Sequence, residues 1–562
     1  MGNCLPLPSS PTLRLASGET HRSMPVDTIF KLPSALPHWP SGGGFARGTI
    51  DLGGLEVCQI SSFTEVWATH EGGPGNLGAT FFEPSPVPEG FFMLGCYVQP
   101  NHKPLFGWVL AGKDISGEPS GGALKPPVDY NLVYSTESSK TKRDKNGYIW
   151  LPIPPDGYKA TGHVVTTSPK KPPLDKIRCV RSDFTDVCEK EAWLWGEEEE
   201  IDSNGINIYG LRPTNRGIQA QGVPLGTFVA QNGGVEMGIA CLKNTTSTLS
   251  SMPNLSQIKS LVQAFSPWIY FHPNENYLPS SVDWFFENGV RLYKKGEESD
   301  PVQVKPNGLN LPQGGSNDGE YWLDLPQDSK AKERVKRGSL EDAEAYLHVK
   351  PMLGASFTDI AIWVFYPFNG PGKAKVGPIN NFSLGKTGEH IGDWEHLTLR
   401  ISNFNGELKS VYFSQHSKGT WVSASELEFQ GGNKPVTYSA LGGHAFYPKP
   451  GLVLQGSGSI GIRNDTAKGK NVMDTGARFL EVSADYLGME IVEPPWLNYA
   501  REWGPKIEYG ISQEIKKGLK LLPGKLKTQL EEFIRSLPKE LFGEEGPTGP
   551  KMKSSWSGDE RV

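Results

Sequence analysis

One eight-residue pattern recurs in the first half of this chain and limits what that half can fold into. Pro88-Glu-Gly-Phe-Phe-Met-Leu-Gly95 returns as Pro155-Asp-Gly-Tyr-Lys-Ala-Thr-Gly162. Both read proline, acid, glycine, aromatic, three residues, glycine. Proline sets φ and glycine permits positive φ, so the first three positions make a tight turn. Strand-like aromatic runs precede each copy, Ala79-Thr-Phe-Phe82 and Gly147-Tyr-Ile-Trp150, and further upstream Phe63-Thr-Glu-Val-Trp67 and Tyr130-Asn-Leu-Val-Tyr134. A looser third copy has Trp193-Leu-Trp195 and Ile206-Asn-Ile-Tyr209 ahead of Gly222-Val-Pro-Leu-Gly226, with one residue fewer between its glycines. Three hairpin-rich copies, each completing its neighbour's core, predict a β-prism-like triplicated module over residues 55–245. The 66 glycines and 46 prolines favour short strands and turns over helix bundles.

The remainder is expected to be mainly β as well. Residues 1–50 are rich in Ser, Pro and Gly and read as a partly disordered tail, with Leu32–Pro40 lying across a domain surface. Residues 246–262 read as a linker, and Ser256–Phe265 as a short helix leading out of it. Residues 264–505 carry sandwich-like spacings: strands at Ala361–Tyr366, Gly392–Ile401, Leu408–Phe413, Pro435–Tyr438 and Arg478–Val482. Asn405-Gly406 marks a hairpin. Residues 506–542 read as a short helical tail, because Leu526, Leu530, Phe533, Ile534 and Leu537 form one apolar stripe between Pro523 and Pro538. Residues 543–562 read as disordered.

The net charge of −6 makes no electrostatic case for nucleic acid. No run of about 18 apolar residues suggests a spanning helix. Six cysteines, at 4, 58, 96, 179, 188 and 241, form no CxxC pair, and no secretory signal is visible. Free, mostly buried thiols in a reducing, cytoplasmic setting are expected. Asn244-Thr-Thr and Asn464-Asp-Thr match the glycosylation triplet by chance on this reading. The chain opens Met1-Gly2-Asn3-Cys4, so Gly2 and Cys4 are candidate lipidation sites, with Pro6 standing where the motif has Ser or Thr.

Chemistry concentrates in Gly388-Glu-His-Ile-Gly-Asp-Trp-Glu-His-Leu-Thr-Leu-Arg400. Strand alternation after Gly392 puts Asp393 and Glu395 on one face. Two such carboxylates repel unless something positive lies between them. His390, across a glycine bend, can close the group, which makes His390, Asp393 and Glu395 candidate metal ligands. Acid–base chemistry is the alternative. His444, in Gly442-Gly-His-Ala-Phe, is placed to approach the acidic pair, and His416 and His272 are further candidate ligand-site residues. His272-Pro-Asn-Glu275 and Asp283 form a second polar cluster. Gly456-Ser-Gly-Ser-Ile-Gly461 fits GxGxxG but lies in no βαβ unit, so it is not a dinucleotide site.

The first module is similar to the β-prism modules of membrane-associated sorting proteins, including chorein-type lipid-transfer proteins. From about residue 45 onward the chain resembles the vacuolar protein sorting-associated protein 62 family as found in plants. That resemblance rests on Phe63–Gly78, Gly90–Gly95, Tyr270-Phe-His-Pro-Asn-Glu-Asn-Tyr-Leu-Pro-Ser280, Ile391–His396, Gln415-His416 and Gly442–Pro448. It implies vacuolar sorting by name and no defined activity. The second domain resembles, more distantly, the necrosis- and ethylene-inducing-like proteins, whose Gly-His-Arg-His-Asp-Trp-Glu motif holds a divalent cation. His390, Asp393, Trp394 and Glu395 match that motif, while Glu389, Ile391 and Gly392 depart from it. The expectation is a peripheral membrane or adaptor-binding protein with a cation-assisted site for a lipid headgroup or glycan, calcium or magnesium being favoured over zinc. The partner would be a membrane lipid or sorting adaptor. A metal-dependent hydrolase using Asp393 and Glu395, and a scaffold without an ion, are the alternatives.

Overall fold

A computed structural model describes residues 26–561 except 27, 118–121, 139–142, 144, 197–205, 233–237, 247, 378, 385, 387, 417, 458–459, 507–523 and 537–546. Gly2 and Cys4 lie outside the described residues. The fold is mainly β.

Each of the three sequence copies contributes one sheet of each of two kinds. The first kind comprises Phe63–Ala68, Ala79–Pro84 and Tyr97–Pro100; then Asp129–Ser135, Tyr148–Ile153 and Val164–Thr166; then Cys188–Gly196, Ile206–Pro213 and Phe228–Asn232. These three sheets bury Trp67, Phe81, Ile149, Trp195, Ile208 and Phe228 in one shared core. Sheets of the second kind close around Leu55, Val180, Val223 and Leu242. The repeat's last glycine explains why the pattern recurs. A Cβ on Gly95 would lie 2.8 Å from Gly162 Cα, and one on Gly162 would lie 2.7 Å from Gly95 Cα. In the third copy Thr227 takes this place, and its hydroxyl donates to Thr161 O, while the Thr161 hydroxyl donates to Leu94 O. The shorter glycine spacing of the third copy therefore puts a threonine where the other two copies need bare backbone.

The second domain is built on a six-stranded sheet in the order Lys418–Ser423, Leu408–Gln415, His390–Ser402, Phe357–Asn369, Ala345–Met352, Phe479–Ser483. All pairings are antiparallel except the last. A smaller sheet, with Trp268–Phe271 parallel to Lys434–Ser439, packs on one face. Ile269, Phe271, Leu347, Ile362, Leu397, Leu399 and Phe413 fill the space between them. The helix Leu255–Phe265 belongs to this core through Ile258, Leu261, Val262 and Phe265, so part of the expected linker is structural. Asn254 and Gln257 form a reciprocal capping box that starts it.

A third layer, unforeseen in the sequence, covers the other face of the large sheet. Short helices Val282–Glu287 and Ser329–Lys336 and the segment around Trp496 and Trp503 pack on Tyr346, Trp363, Phe365 and Trp394. Described residues near both ends of the chain are attached to its body. Residues 28–50 touch both domains: Phe30 N donates to Leu105 O at 3.0 Å, Trp39 Nε1 to Asn405 O at 3.0 Å, and Ser34 N to Asn433 Oδ1 at 2.8 Å. Residues 547–561 are not a free tail. Trp556 stacks on His348 at 3.7 Å, and Glu560 is buried. Of the expected helical tail, Gly524–Ser536 is described and is helical. Gly456 and Gly461 face each other across an antiparallel hairpin, consistent with discarding the dinucleotide motif. Asn244 and Asn464 are both buried, which suits neither glycosylation triplet. The five described cysteines are free and buried. Among the described residues no helix is long and apolar enough to cross a membrane.

The glycine contact at the pseudo-threefold axis has a measurable consequence. Gly162→Ala forces a methyl against Gly95 Cα, an overpacking that costs about 1–3 kcal/mol. Thermal unfolding should show a lowered midpoint for this variant and little change for Gly524→Ala, an exposed glycine of the helix Gly524–Ser536 whose Cβ would meet nothing within 4 Å.

Candidate functional site

His390–Ser402 pairs with Phe357–Asn369 so that Asp393 faces Tyr366 and Glu395 faces Val364. Asp393 and Glu395 do share a face, the same inner face that carries Leu397, Leu399 and Ile401. They are the polar end of an apolar stripe. Gly392 sets the step before them. Its φ is +70°, and a Cβ there would lie 2.7 Å from Trp503 O. Through this step Ile391 and Trp394 both join the outer core, and His390 swings to the side of Asp393.

A cavity of about 550 Å³ opens over this end of the strand. His390, Asp393, Glu395, Ser414, His416 and Asn464 line it, together with Lys373, Lys418 and Lys553. Residues 552–555 and 560–561 of the C-terminal segment form one wall.

His444 is fully buried beneath the cavity. Its Nδ1 is 2.8 Å from Asp393 Oδ2, and its Nε2 is 3.1 Å from Tyr277 O. Its ring lies flat on Tyr366 at 3.8 Å, the residue opposite Asp393 in the sheet. The loop bearing it is fixed by Gly442 N donating to Glu275 Oε2 at 2.7 Å and by Gly370 N donating to Gly442 O at 2.7 Å. Backbone φ values of +56° at His444 and +58° at His416 are uncommon for non-glycine residues and concentrate at functional sites.

The two carboxyls are driven in opposite directions. Burial pushes Asp393 up, but the His444 hydrogen bond and the nearby His390 and His444 rings outweigh it and hold the group below its ordinary range. Burial, then the charge on Asp393, pushes Glu395 well above its ordinary value despite the hydrogen bond from the Ser414 hydroxyl. Glu395 is thus the neutral acid and Asp393 the carboxylate, the usual outcome for two acids sharing a buried site. With Asp393 ionised, both partners of the His444 ring are acceptors. Burial pushes His390 and His416 down.

The expected ligand trio is therefore adjacent but not gathered into a coordination sphere. His390 Nε2 stands 4.0 Å from Asp393 Oδ1, while Asp393 Oδ2 is bonded to His444 and Glu395 to Ser414. Among the described residues no group of three or more His, Cys, Asp or Glu side chains is arranged to hold a metal ion. His416 reaches the cavity and pairs with Asn464 Oδ1 at 3.2 Å. His272 does not line it; its Nδ1 accepts from Asn274 N at 3.2 Å. Asp283 accepts from Asn307 N, away from Glu275, so the second polar cluster is two separate loop fasteners. Sequence reasoning missed Ser414 and Asn464. The only available signal for Ser414 was strand alternation, which places it beside His416 in Ser414-Gln-His416.

The chain matches the family described as vacuolar protein sorting-associated protein 62 over residues 26–560. It belongs to that family. Vacuolar protein sorting-associated protein 62 of Saccharomyces cerevisiae is 27% identical over 218 residues, 33% of this chain and 44% of the yeast protein. A second protein of Saccharomyces cerevisiae, described as 'Putative vacuolar protein sorting-associated protein TDA6', is 32% identical over 116 residues, 17% of this chain and 23% of its own length. Matched stretches thus span less than half of either curated relative. Among solved structures, GNIP1Aa from Chromobacterium piscinae is 18% identical with a TM-score of 0.28, covering 38% of this chain and 40% of that one. Necrosis and Ethylene inducing Protein 2 from the witches' broom agent of cocoa is 14% identical with a TM-score of 0.19, covering 34% and 67%. Similarity at that level decides nothing about this family member's site.

The proton on Glu395 gives a signed prediction. A carboxyl with a raised folded pKa contributes stability that is fully present below its unfolded value, about 4.3. That stability is lost as pH rises toward the folded value. Glu395→Gln keeps an acceptor for Ser414 and removes the titration. Urea unfolding should show the variant matching wild type near pH 4 and exceeding it at pH 8; equal slopes against pH would contradict the assignment. Asp393 works in the opposite sense, its contribution being lost as pH falls through its folded value. Removing its partner in His444→Ala leaves a buried charge uncompensated and should cost about 3–5 kcal/mol.

Proposed function

We propose that this member of the vacuolar protein sorting-associated protein 62 family is a recognition module, not an enzyme. It would work peripherally on a membrane or on a sorting adaptor, and receive a polar, hydroxyl-bearing group in the cavity over Asp393 and Glu395. That group would be a lipid headgroup or a glycan. One observation carries the reading. Two buried polar atoms of the cavity lining, His390 Nδ1 and Asn464 Nδ2, have no hydrogen-bond partner in the fold. Leaving such atoms unmatched costs about 1–3 kcal/mol each, so they favour a partner from outside the chain. A pocket of several hundred cubic ångströms with a few convergent polar groups is the usual form of a small-ligand site.

Hydrolysis would need a base with a lone pair free beside the ligand. The two acids a hydrolase would use here are both engaged, Asp393 by His444 and the protonated Glu395 by the Ser414 hydroxyl, so the arrangement favours holding a ligand over turning it over. The calcium or magnesium form of the site would first have to break the Asp393–His444 and Glu395–Ser414 bonds. The metal-free form is therefore the one supported. The β-prism module would supply the surface for an adaptor or lipid.

A thermal-shift and calorimetric screen of headgroups and glycans against the full chain tests this. A ligand that stabilises wild type should bind about tenfold more weakly to Asn464→Ala, the loss of roughly one hydrogen bond. Chelator should leave the affinity unchanged. Failure of every ligand of both classes, or indifference to Asn464→Ala, would remove the reading; sensitivity to chelator would restore a cation to it.

A further inference from the structure

Unpaired positive charge is gathered at the mouth of the cavity in a chain whose net charge is −6. Lys373, Lys418 and Lys553 line the opening. Lys375 lies on the same outward side of the strand Lys373–Val376 as Lys373, since Ala374 and Val376 between them are the buried positions. The helix Gly524–Ser536 leans on the adjoining turn, with Leu526 Cδ2 2.9 Å from the Cβ position of Gly377, and it exposes Lys525 and Lys527. None of these six lysines forms an ion pair among the described residues. Lysines elsewhere do, as in Lys171–Asp129, Lys176–Glu83 and Lys434–Asp474.

The sheet that carries this edge runs Ile379–Ser383, Lys373–Val376, Ile460–Thr466, Gly451–Ser457. It exposes two large apolar residues, Ile379 beside the turn and Leu452 on the far edge strand. Apolar points among unneutralised lysines suit a surface that is anionic outside and apolar within. Each lysine near such a surface strengthens binding roughly fivefold, and that attraction fades with salt.

We propose that this face docks on an anionic lipid bilayer and turns the cavity toward the headgroup layer. The proposal rests on reading the cavity as a ligand site, and it names the source of the ligand as membrane lipid. On docking, the six lysines contact anionic headgroups, Ile379 and Leu452 meet the interface, and one lipid's polar group can reach Asn464 and His390 without leaving the bilayer.

Flotation of the full chain with vesicles tests it. Vesicles of phosphatidylcholine alone are compared with vesicles that also contain phosphatidylserine, each at low and high salt. Wild type should float with the anionic vesicles only, and less in high salt. The triple variant Lys375→Glu, Lys525→Glu, Lys527→Glu changes no residue of the cavity lining. It should lose about a hundredfold in vesicle affinity, the product of three lysines, while keeping its melting temperature and its affinity for any soluble cavity ligand. The corresponding triple Lys→Gln variant should show a smaller loss in the same direction. Equal flotation with both vesicle types, flotation with neither (as an acidic protein partner for this face would give), or wild-type flotation by the Glu variant would overturn docking. Asn464→Ala separates the two ideas. If it loses nothing toward soluble ligands while the lysine variants abolish flotation, the cavity reading fails alone. If it loses soluble binding while flotation ignores the lysines, docking fails alone.

Discussion

Two carboxylates on the buried face of one strand set the terms for everything around them. The inner face of His390–Ser402 continues as Leu397, Leu399 and Ile401, so Asp393 and Glu395 stand where a sandwich normally has hydrocarbon. Ionising both there would be prohibitive. The fold meets the demand three ways. The His444 ring bonds Asp393, a retained proton neutralises Glu395, and the Ser414 hydroxyl binds that neutral acid. The His444 ring must itself be held, and this is done by the Tyr366 ring, the Tyr277 carbonyl and a loop pinned by Glu275. Residues from four separated stretches of chain are thereby committed to one pair of acids.

Alternation and turn chemistry made the large sheet legible. Ala361–Tyr366 lies inside Phe357–Asn369, Gly392–Ile401 inside His390–Ser402, and Asn405-Gly406 at the hairpin, with Gly406 at φ +75°. The shared face of Asp393 and Glu395 follows from the same period, whereas His444 stands out in the sequence only by its place in the glycine-rich Gly442-Gly-His-Ala-Phe446. The third layer was not legible. Its helices run six and eight residues, too short for a clear helical period, and their burial comes from the far side of a sheet whose outer face reads as Trp394, His396, Thr398 and Arg400. The C-terminal segment was misread for a related reason. Ser, Gly, Asp and Glu look solvated in sequence, yet Glu560 meets His396 Nε2 at 2.9 Å and the Thr398 hydroxyl at 2.6 Å across more than 160 residues of chain. Long-range charge pairing leaves no periodic trace.

That outer face links the site to the rest of the molecule. Arg400 binds both Asp359 and Asp559, and Asp559 also binds Arg216 of the prism module, at 2.7–2.9 Å. Exposed ion pairs contribute little, but this network is largely withdrawn from water and uses two-pronged arginine geometry, where the interaction is both stronger and more directional. The C-terminal segment is thus a clasp between the domains as well as a wall of the cavity.

A single strand consequently carries two functions on its two faces, and Gly392 is the residue that keeps them in phase. With φ at +70° and Trp503 O within 2.7 Å of where a Cβ would be, no other residue fits there without moving the outer core. If the backbone relaxed to an ordinary extended φ, the residues before the glycine would exchange faces. His390 would leave the side of Asp393, and Ile391 would leave the outer tryptophan cluster for the polar floor. The glycine in Ile391-Gly-Asp-Trp-Glu-His396 is therefore not a gap in a cation-binding motif. It is the element that lets a buried acid pair and a tryptophan core occupy opposite faces of the same strand.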